Sequence, residues 1–140
     1  MRPASATRRS NRAMGLRLVT TWSTLYPDQG LEHLLDLARR QRLGPSLPIA
    51  FGCACASAGV GKCDTGAAFA YTRLASATSA ALRLMRIGQT DAHAQLARTL
   101  ERVPMVVEAM TARARPESFT PAMDISAMTQ QYLHSRLFRS

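Results

Sequence analysis

Three cysteines are the residues of this chain best suited to bind a metal or act as a nucleophile. Cys53 and Cys55 lie two residues apart on a predicted helix, so their side chains point about 200° away from each other. Cys63 could join one of them, but two thiolates do not make the four-ligand set of a structural zinc site. We therefore expect all three to be free thiols in a reducing compartment, buried and packed like small apolar residues.

Other candidate chemistry is incomplete. Three histidines are scattered along the chain: His33, His93 and His134. No carboxylate stands at a metal-ligand spacing from any of them. Residues 58–63 (Ala-Gly-Val-Gly-Lys-Cys) imitate the end of a phosphate-binding loop, but Ala56 and Cys63 occupy positions where that loop needs a glycine and a hydroxyl. Nucleophile elbows and core-facing carboxylate pairs are also lacking. The sequence thus predicts no catalytic residue, no metal site and no cofactor.

A basic flank is the first feature that suggests contact with other molecules. Arg73, Arg83 and Arg86 lie within about 140° of one another around a predicted helix. Solvation of an exposed helix face is the alternative explanation for such a flank.

The C-terminus is the second such feature. Leu137 and Phe138 are large apolar residues at the end of the chain, bracketed by Arg136 and Arg139. A chain end usually frays, and two exposed apolar groups there favour aggregation. These side chains therefore need a groove, either in this protein or on a partner.

The elements that position these residues are all predicted to be helices. Residues 65–113 read as two helices that meet at an elbow, residues 86–90. The first helix is rich in glycine, alanine and serine, which lets another backbone come close, so it should be central. The second carries an apolar seam in steps of three and four: Ala92, Leu96, Leu100, Val103, Val107 and Met110. Pro104 lies inside this seam and predicts a kink near Val103.

Three shorter helices are predicted before the central one, at residues 16–26, 30–43 and 48–59. Asp28 should cap the second of them, and Asp64 or Thr65 the central helix. The third should be buried through the following residues: Ile49, Phe51, Cys53, Ala54 and Ala56. A last helix should begin near Thr120 and run into the tail. The predicted fold is one all-α domain, residues 15–140, after a basic flexible segment, residues 1–14.

Composition narrows the possible partners. The 140-residue chain has a net charge of +9, from seventeen Arg and one Lys against nine acids. Such a balance fits nucleic acid, an acidic protein partner or an arginine-rich genome. Aromatic residues make up only 6% of the chain, and no helix-turn-helix spacing stands out, which argues against nucleic acid. Membrane spans need ~18–20 apolar residues, and no run reaches that length. Residues 1–14 contain no acid, which is typical of transit peptides and of exposed linkers.

Two stretches resemble the urease accessory protein F (UreF) family. Residues 80–90 (Ala-Ala-Leu-Arg-Leu-Met-Arg-Ile-Gly-Gln-Thr) are similar to the family's R-L-x-P-L-G-Q-T stretch, with Arg86 in place of the proline. Residues 132–140 (Tyr-Leu-His-Ser-Arg-Leu-Phe-Arg-Ser) are similar to its C-terminus, Y-S-R-L-F-x-S. Residues 8–18 resemble the middle of the family pattern. The chain should therefore correspond to roughly the C-terminal three fifths of a member, a partial UreF-like helical bundle without the N-terminal helices.

The resemblance implies a non-catalytic, dimerising accessory protein of urease maturation in the cytoplasm. Such proteins bind the UreD/UreH scaffold and, through it, the GTPase UreG that delivers nickel to apo-urease. In this family the C-terminal tail becomes ordered on the scaffold. Gly88 and Gln89 correspond to the family's elbow. The implied partner-binding residues of the tail are Tyr132, Ser135, Arg136, Leu137, Phe138 and Ser140. The alternative is a basic helical module that binds nucleic acid or an acidic protein.

We expect nickel to bind this chain weakly, through adventitious thiol or imidazole groups. Calorimetry on the purified chain should detect no stoichiometric site of sub-micromolar affinity. A tight site that disappears in Cys53→Ala or Cys63→Ala would contradict our interpretation of the cysteines.

Overall fold

The computed structural model describes residues 5–40 and 44–113. Its regular elements in these ranges are all helices: α1 (Ser5–Leu25), α2 (Gln29–Arg39), α3 (Leu47–Ser57), α4 (Lys62–Leu84), α5 (Gln89–Leu100) and α6 (Val103–Thr111). The predicted all-α fold class is therefore confirmed. The described residues form two compact units, up to residue 54 in the first and from residue 55 in the second. The helix predicted from Thr120 lies outside the described residues.

The first unit is held together by the contact between α1 and α2. Val19 of α1 is fully buried, and it packs with Leu31 and Leu35, which lie one turn apart on α2. Ala50 of α3 completes this core, and half-buried side chains surround it: Leu18, Trp22, Leu34 and Cys53. The core is apolar throughout, so its stability comes mainly from the hydrophobic effect.

A polar cap fixes the start of α2. Asp28 has extended backbone angles, and its side chain accepts a hydrogen bond from the Leu31 N–H at 3.0 Å. The predicted cap is confirmed, and such caps contribute about 1 kcal/mol. At the other end of the helix, the Arg40 Nε lies 3.0 Å from the Asp36 Oδ2 in an exposed ion pair. The helix ends at Arg39, before the predicted end at residue 43.

α1 begins at Ser5 instead of the predicted residue 16, and it crosses the predicted boundary between residues 14 and 15. Gly15, the first residue of the predicted domain, lies buried inside the helix. A Cβ at this position would lie 2.7 Å from the carbonyl carbon of Ser46 and 2.9 Å from the nitrogen of Leu47. The glycine therefore serves close packing against a distant loop and does not interrupt the helix. Flexibility of residues 1–14 stays a prediction.

The predicted burial of α3 is correct on one face only. Ala50 and Ala54, one turn apart, are buried, and Phe51 and Cys53 are half-buried. Ile49 and Ala56 are exposed, so their predicted burial is wrong. The helix is apolar on all sides, and the sequence pattern therefore does not indicate which side meets the core.

The second unit is a helical hairpin in which α4 packs against both α5 and α6. A Cβ at Gly66 would lie 2.8 Å from the Val107 Cγ1. The Cys63 Sγ lies 3.7 Å from the Thr111 hydroxyl oxygen. These pairs place α6 antiparallel to the first half of α4. Within this unit, the predicted central position of α4 is confirmed.

Two helix starts in the second unit differ from the predictions. Gly61 is the N-cap of α4, because the helix begins at Lys62, before Asp64. The Asp64 carboxylate lies in the first turn, where its negative charge stabilises the helix by interacting with the helix dipole. The predicted cap by Asp64 or Thr65 is wrong. The kink predicted at Pro104 is a full break: α5 ends at Leu100, and α6 begins at Val103. In the first turn of α6, the missing N–H of the proline is harmless.

We expect Gly15→Ala to lower the free energy of unfolding by about 1–3 kcal/mol, because the new methyl group would force the backbone of residues 45–47 away from α1. Gly52→Ala is the matched control, since a Cβ there would meet no atom within 4 Å. Inside a helix that exchange should stabilise by about 0.5–1 kcal/mol. Urea unfolding of both variants measures these changes in the free energy of unfolding. Equal changes in the two variants would contradict the close contact of Gly15 with residues 45–47.

Candidate partner-binding surface

The elbow joins α4 to α5 through a short extended segment. Met85, which follows the last residue of α4, has φ −120° and ψ 152°, and its N–H donates to the Ala81 carbonyl at 2.8 Å. Gly88 caps α5 with φ −71° and ψ 149°, angles that any residue can adopt. The predicted meeting of two helices is therefore confirmed, and the glycine is not required by its backbone angles.

Large apolar side chains are exposed at the elbow and at the end of α4 that leads into it. Leu84 and Ile87 are exposed, and Met85 is 61% exposed. Gly88 and Gln89 are also exposed. Apolar groups gathered in this way are typical of a contact surface.

The basic flank divides into two parts in the structure. All three arginines are exposed, with Arg73 and Arg83 on α4 and Arg86 in the elbow. Along α4, Arg73 lies about 15 Å from Arg83, because a helix rises about 1.5 Å per residue. Only Arg83 and Arg86 therefore border the apolar elbow. A role for the flank in binding stays a prediction.

α6 provides a second apolar surface, which the sequence reasoning missed. Its predicted seam assigned Val103, Val107 and Met110 to one face and left Met105 and Val106 without a role. Met105 is 62% exposed and Val106 is 51% exposed. Beside them lies a groove of about 280 Å³, lined by Ala70, Thr99, Arg102, Val103, Val106 and Val107. The signal in the sequence was that α6 is more apolar than a single seam requires.

The predicted tail site lies outside the described residues. It comprises Tyr132, Ser135, Arg136, Leu137, Phe138 and Ser140.

The cysteines are free in the structure, with Cys53 and Cys55 half-buried and Cys63 exposed. The expected burial of Cys63 is therefore wrong: its side chain lies at the exposed start of α4, 3.7 Å from the Thr111 hydroxyl oxygen. Within residues 5–40 and 44–113, no three His, Cys, Asp or Glu side chains group closely enough to hold a metal ion. In the same ranges, no helix combines the length and apolarity of a transmembrane span.

Comparison with known proteins decides the family. The UreF family model matches residues 1–100, which include the elbow. The chain belongs to the UreF family. A urease accessory protein UreF from Polaromonas sp. is 30% identical over 99% of this chain, and one from Arthrobacter sp. is 27% identical over 95%. A third, from Methylorubrum populi, is 33% identical over 76%.

The resemblance to the UreF family is thus confirmed as membership of it. The chain spans 59% of the length of the Polaromonas UreF and 60% of that from Arthrobacter. No solved structure matches the chain significantly.

We expect Arg86→Pro to leave the fold intact, because the backbone angles of Met85 are those a residue before proline prefers. Stability should stay the same or rise by about 0.4–1 kcal/mol. The matched control, Arg83→Pro, places proline inside α4 and should destabilise by ~3 kcal/mol. Thermal unfolding followed by circular dichroism measures both. Equal destabilisation would show that the elbow is not extended at residue 85.

Proposed function

We propose that this UreF-family chain is a non-catalytic adaptor in the nickel-dependent maturation of urease. In this role it binds a UreD/UreH-type scaffold and links it to the GTPase UreG, which delivers nickel to apo-urease. Family membership is the observation that carries the proposal: the UreF model matches residues 1–100, and the relatives above are urease accessory proteins.

The described surface supports a role in protein contact. Large apolar side chains are exposed at the elbow and on α6, and Arg83 and Arg86 stand beside the first of these surfaces. An apolar patch rimmed by charged residues is the arrangement that protein interfaces use. We include Gly88 and Gln89 in the proposed contact, as part of the family stretch.

The tail is the strongest candidate for the scaffold contact. Leu137 and Phe138 would each contribute roughly 1.5–3 kcal/mol when fully covered. Arg136 can add a charge-assisted hydrogen bond of ~1.5–3 kcal/mol to an acidic group. Tyr132, Ser135 and Ser140 complete the family motif of the tail.

A homodimer in the cytoplasm belongs to the same proposal. The three free cysteines suit a reducing compartment. The apolar side chains exposed in the second unit offer surface for self-association as well as for the scaffold.

Deletion of residues 136–140 should abolish binding to the purified scaffold homologue and leave the helix content unchanged. Phe138→Ala should weaken binding by more than Arg139→Ala, the control we place at the solvated rim. Calorimetry measures the affinities, and thermal unfolding without partner tests whether the tail packs on its own chain. Full affinity of the truncated chain would contradict the tail assignment.

Nucleic acid is the second candidate partner, favoured by the net charge of +9. Its binding would fall steeply as salt is added, whereas docking of an apolar tail would not. Calorimetric titrations of the chain with nucleic acid and with the scaffold homologue, each at two salt concentrations, therefore separate the two functions.

A further inference from the structure

The groove on the second unit lies where the chain leaves α5 and enters α6. Ala70 of α4 forms one wall, and Val103, Val106 and Val107 form the other. The chain turns at residues 101–102 before α6 begins, and the small side chain of Ala70 leaves the space beside this turn open. At about 280 Å³ the groove is below the usual size of a small-molecule pocket, and it suits one or two inserted side chains.

The polar groups of the groove indicate the charge of its occupant. The hydroxyl of Thr99 donates to the Gln95 carbonyl at 2.8 Å, so its proton is already used. Arg102 is exposed. Within residues 5–40 and 44–113 its guanidinium takes part in no ion pair, unlike that of Arg40, which pairs with Asp36. Arg98, one turn earlier, is exposed as well. An apolar groove with a guanidinium at its rim favours an apolar side chain next to a carboxylate.

We propose that this groove binds an amphipathic, acidic segment of a partner protein. A large apolar side chain of that segment enters between Ala70 and Val106, and a neighbouring Asp or Glu pairs with Arg102. The inference rests on the proposed function, because it places the partner within the urease accessory complex, and it adds a binding site separate from the tail and the elbow.

A second copy of this chain is a poorer occupant. The chain carries a net charge of +9, so another copy would bring positive charge towards Arg98 and Arg102. Like charges facing each other across an interface oppose binding. An acidic partner gains from the same two arginines.

The test uses two matched pairs of variants in the full chain. Arg102→Gln and Val106→Gln change the groove. Arg113→Gln and Val60→Gln make the same exchanges at exposed residues of the second unit that do not line it. Each chain is titrated by calorimetry with a purified UreD/UreH homologue and, separately, with a purified UreG homologue.

For at least one of these two proteins, both groove variants should weaken binding by about tenfold or more, because Arg102→Gln removes the charge-assisted contact and Val106→Gln places a polar amide in the apolar groove. The control variants should change binding by less than about threefold. Thermal unfolding identifies any variant that fails to fold, and if Val106→Gln does so, the pair of arginine variants decides.

Equal affinities for the wild type and all four variants would overturn this inference and leave the proposed function standing. A wild-type chain that binds neither protein would contradict both. A dimer in sedimentation that Val106→Gln dissociates and Val60→Gln does not would assign the groove to a second copy and also overturn the inference.

Discussion

The close approach of α4 and α6 at Gly66 is the constraint on which the second unit depends. A Cβ there would lie 2.8 Å from the Val107 Cγ1, closer than side-chain atoms tolerate without movement. No residue of α4 is fully buried, and Ala92 is the buried apolar residue of α5. The unit is therefore stabilised by small residues that bring helices together, and large buried side chains contribute little. The close approach of the helices strengthens the dispersion attraction between their packed atoms.

This approach also determines which surfaces remain open. Because α6 lies along the first half of α4, the chain must turn between Leu100 and Val103 to continue from α5. Pro104 suits that restart. The turn opens the groove on one side and leaves Met105 and Val106 exposed. Contact surface thus follows from the same packing that forms the hairpin.

Local signals predicted much of this architecture. The small residues of α4, the Asp28 cap, the elbow and the interruption at Pro104 all act within a few positions of the chain. Two of the errors arose where distant contacts decide. Gly15 belongs inside α1 because it meets residues 45–47, about thirty positions away, and α3 is apolar on every side, so its buried face depends on the neighbours it meets.

The candidate site was predictable to a similar extent. The change between two helical patterns predicted the elbow, and the structure exposes apolar residues there beside Arg83 and Arg86. Arg73 joined them only in an angular projection, which ignores distance along the helix axis. The groove was missed because Val106 stands outside the regular seam, and a periodic pattern does not describe a break between two helices.

The adaptor role itself is tested most directly by asking whether the chain recruits UreG. A purified UreD/UreH homologue is immobilised, and purified UreG is passed over it with and without the chain. We predict that UreG is retained only when the chain is present, in proportion to the chain bound. Retention of UreG that is the same without the chain, or absent when the chain is bound, would contradict it.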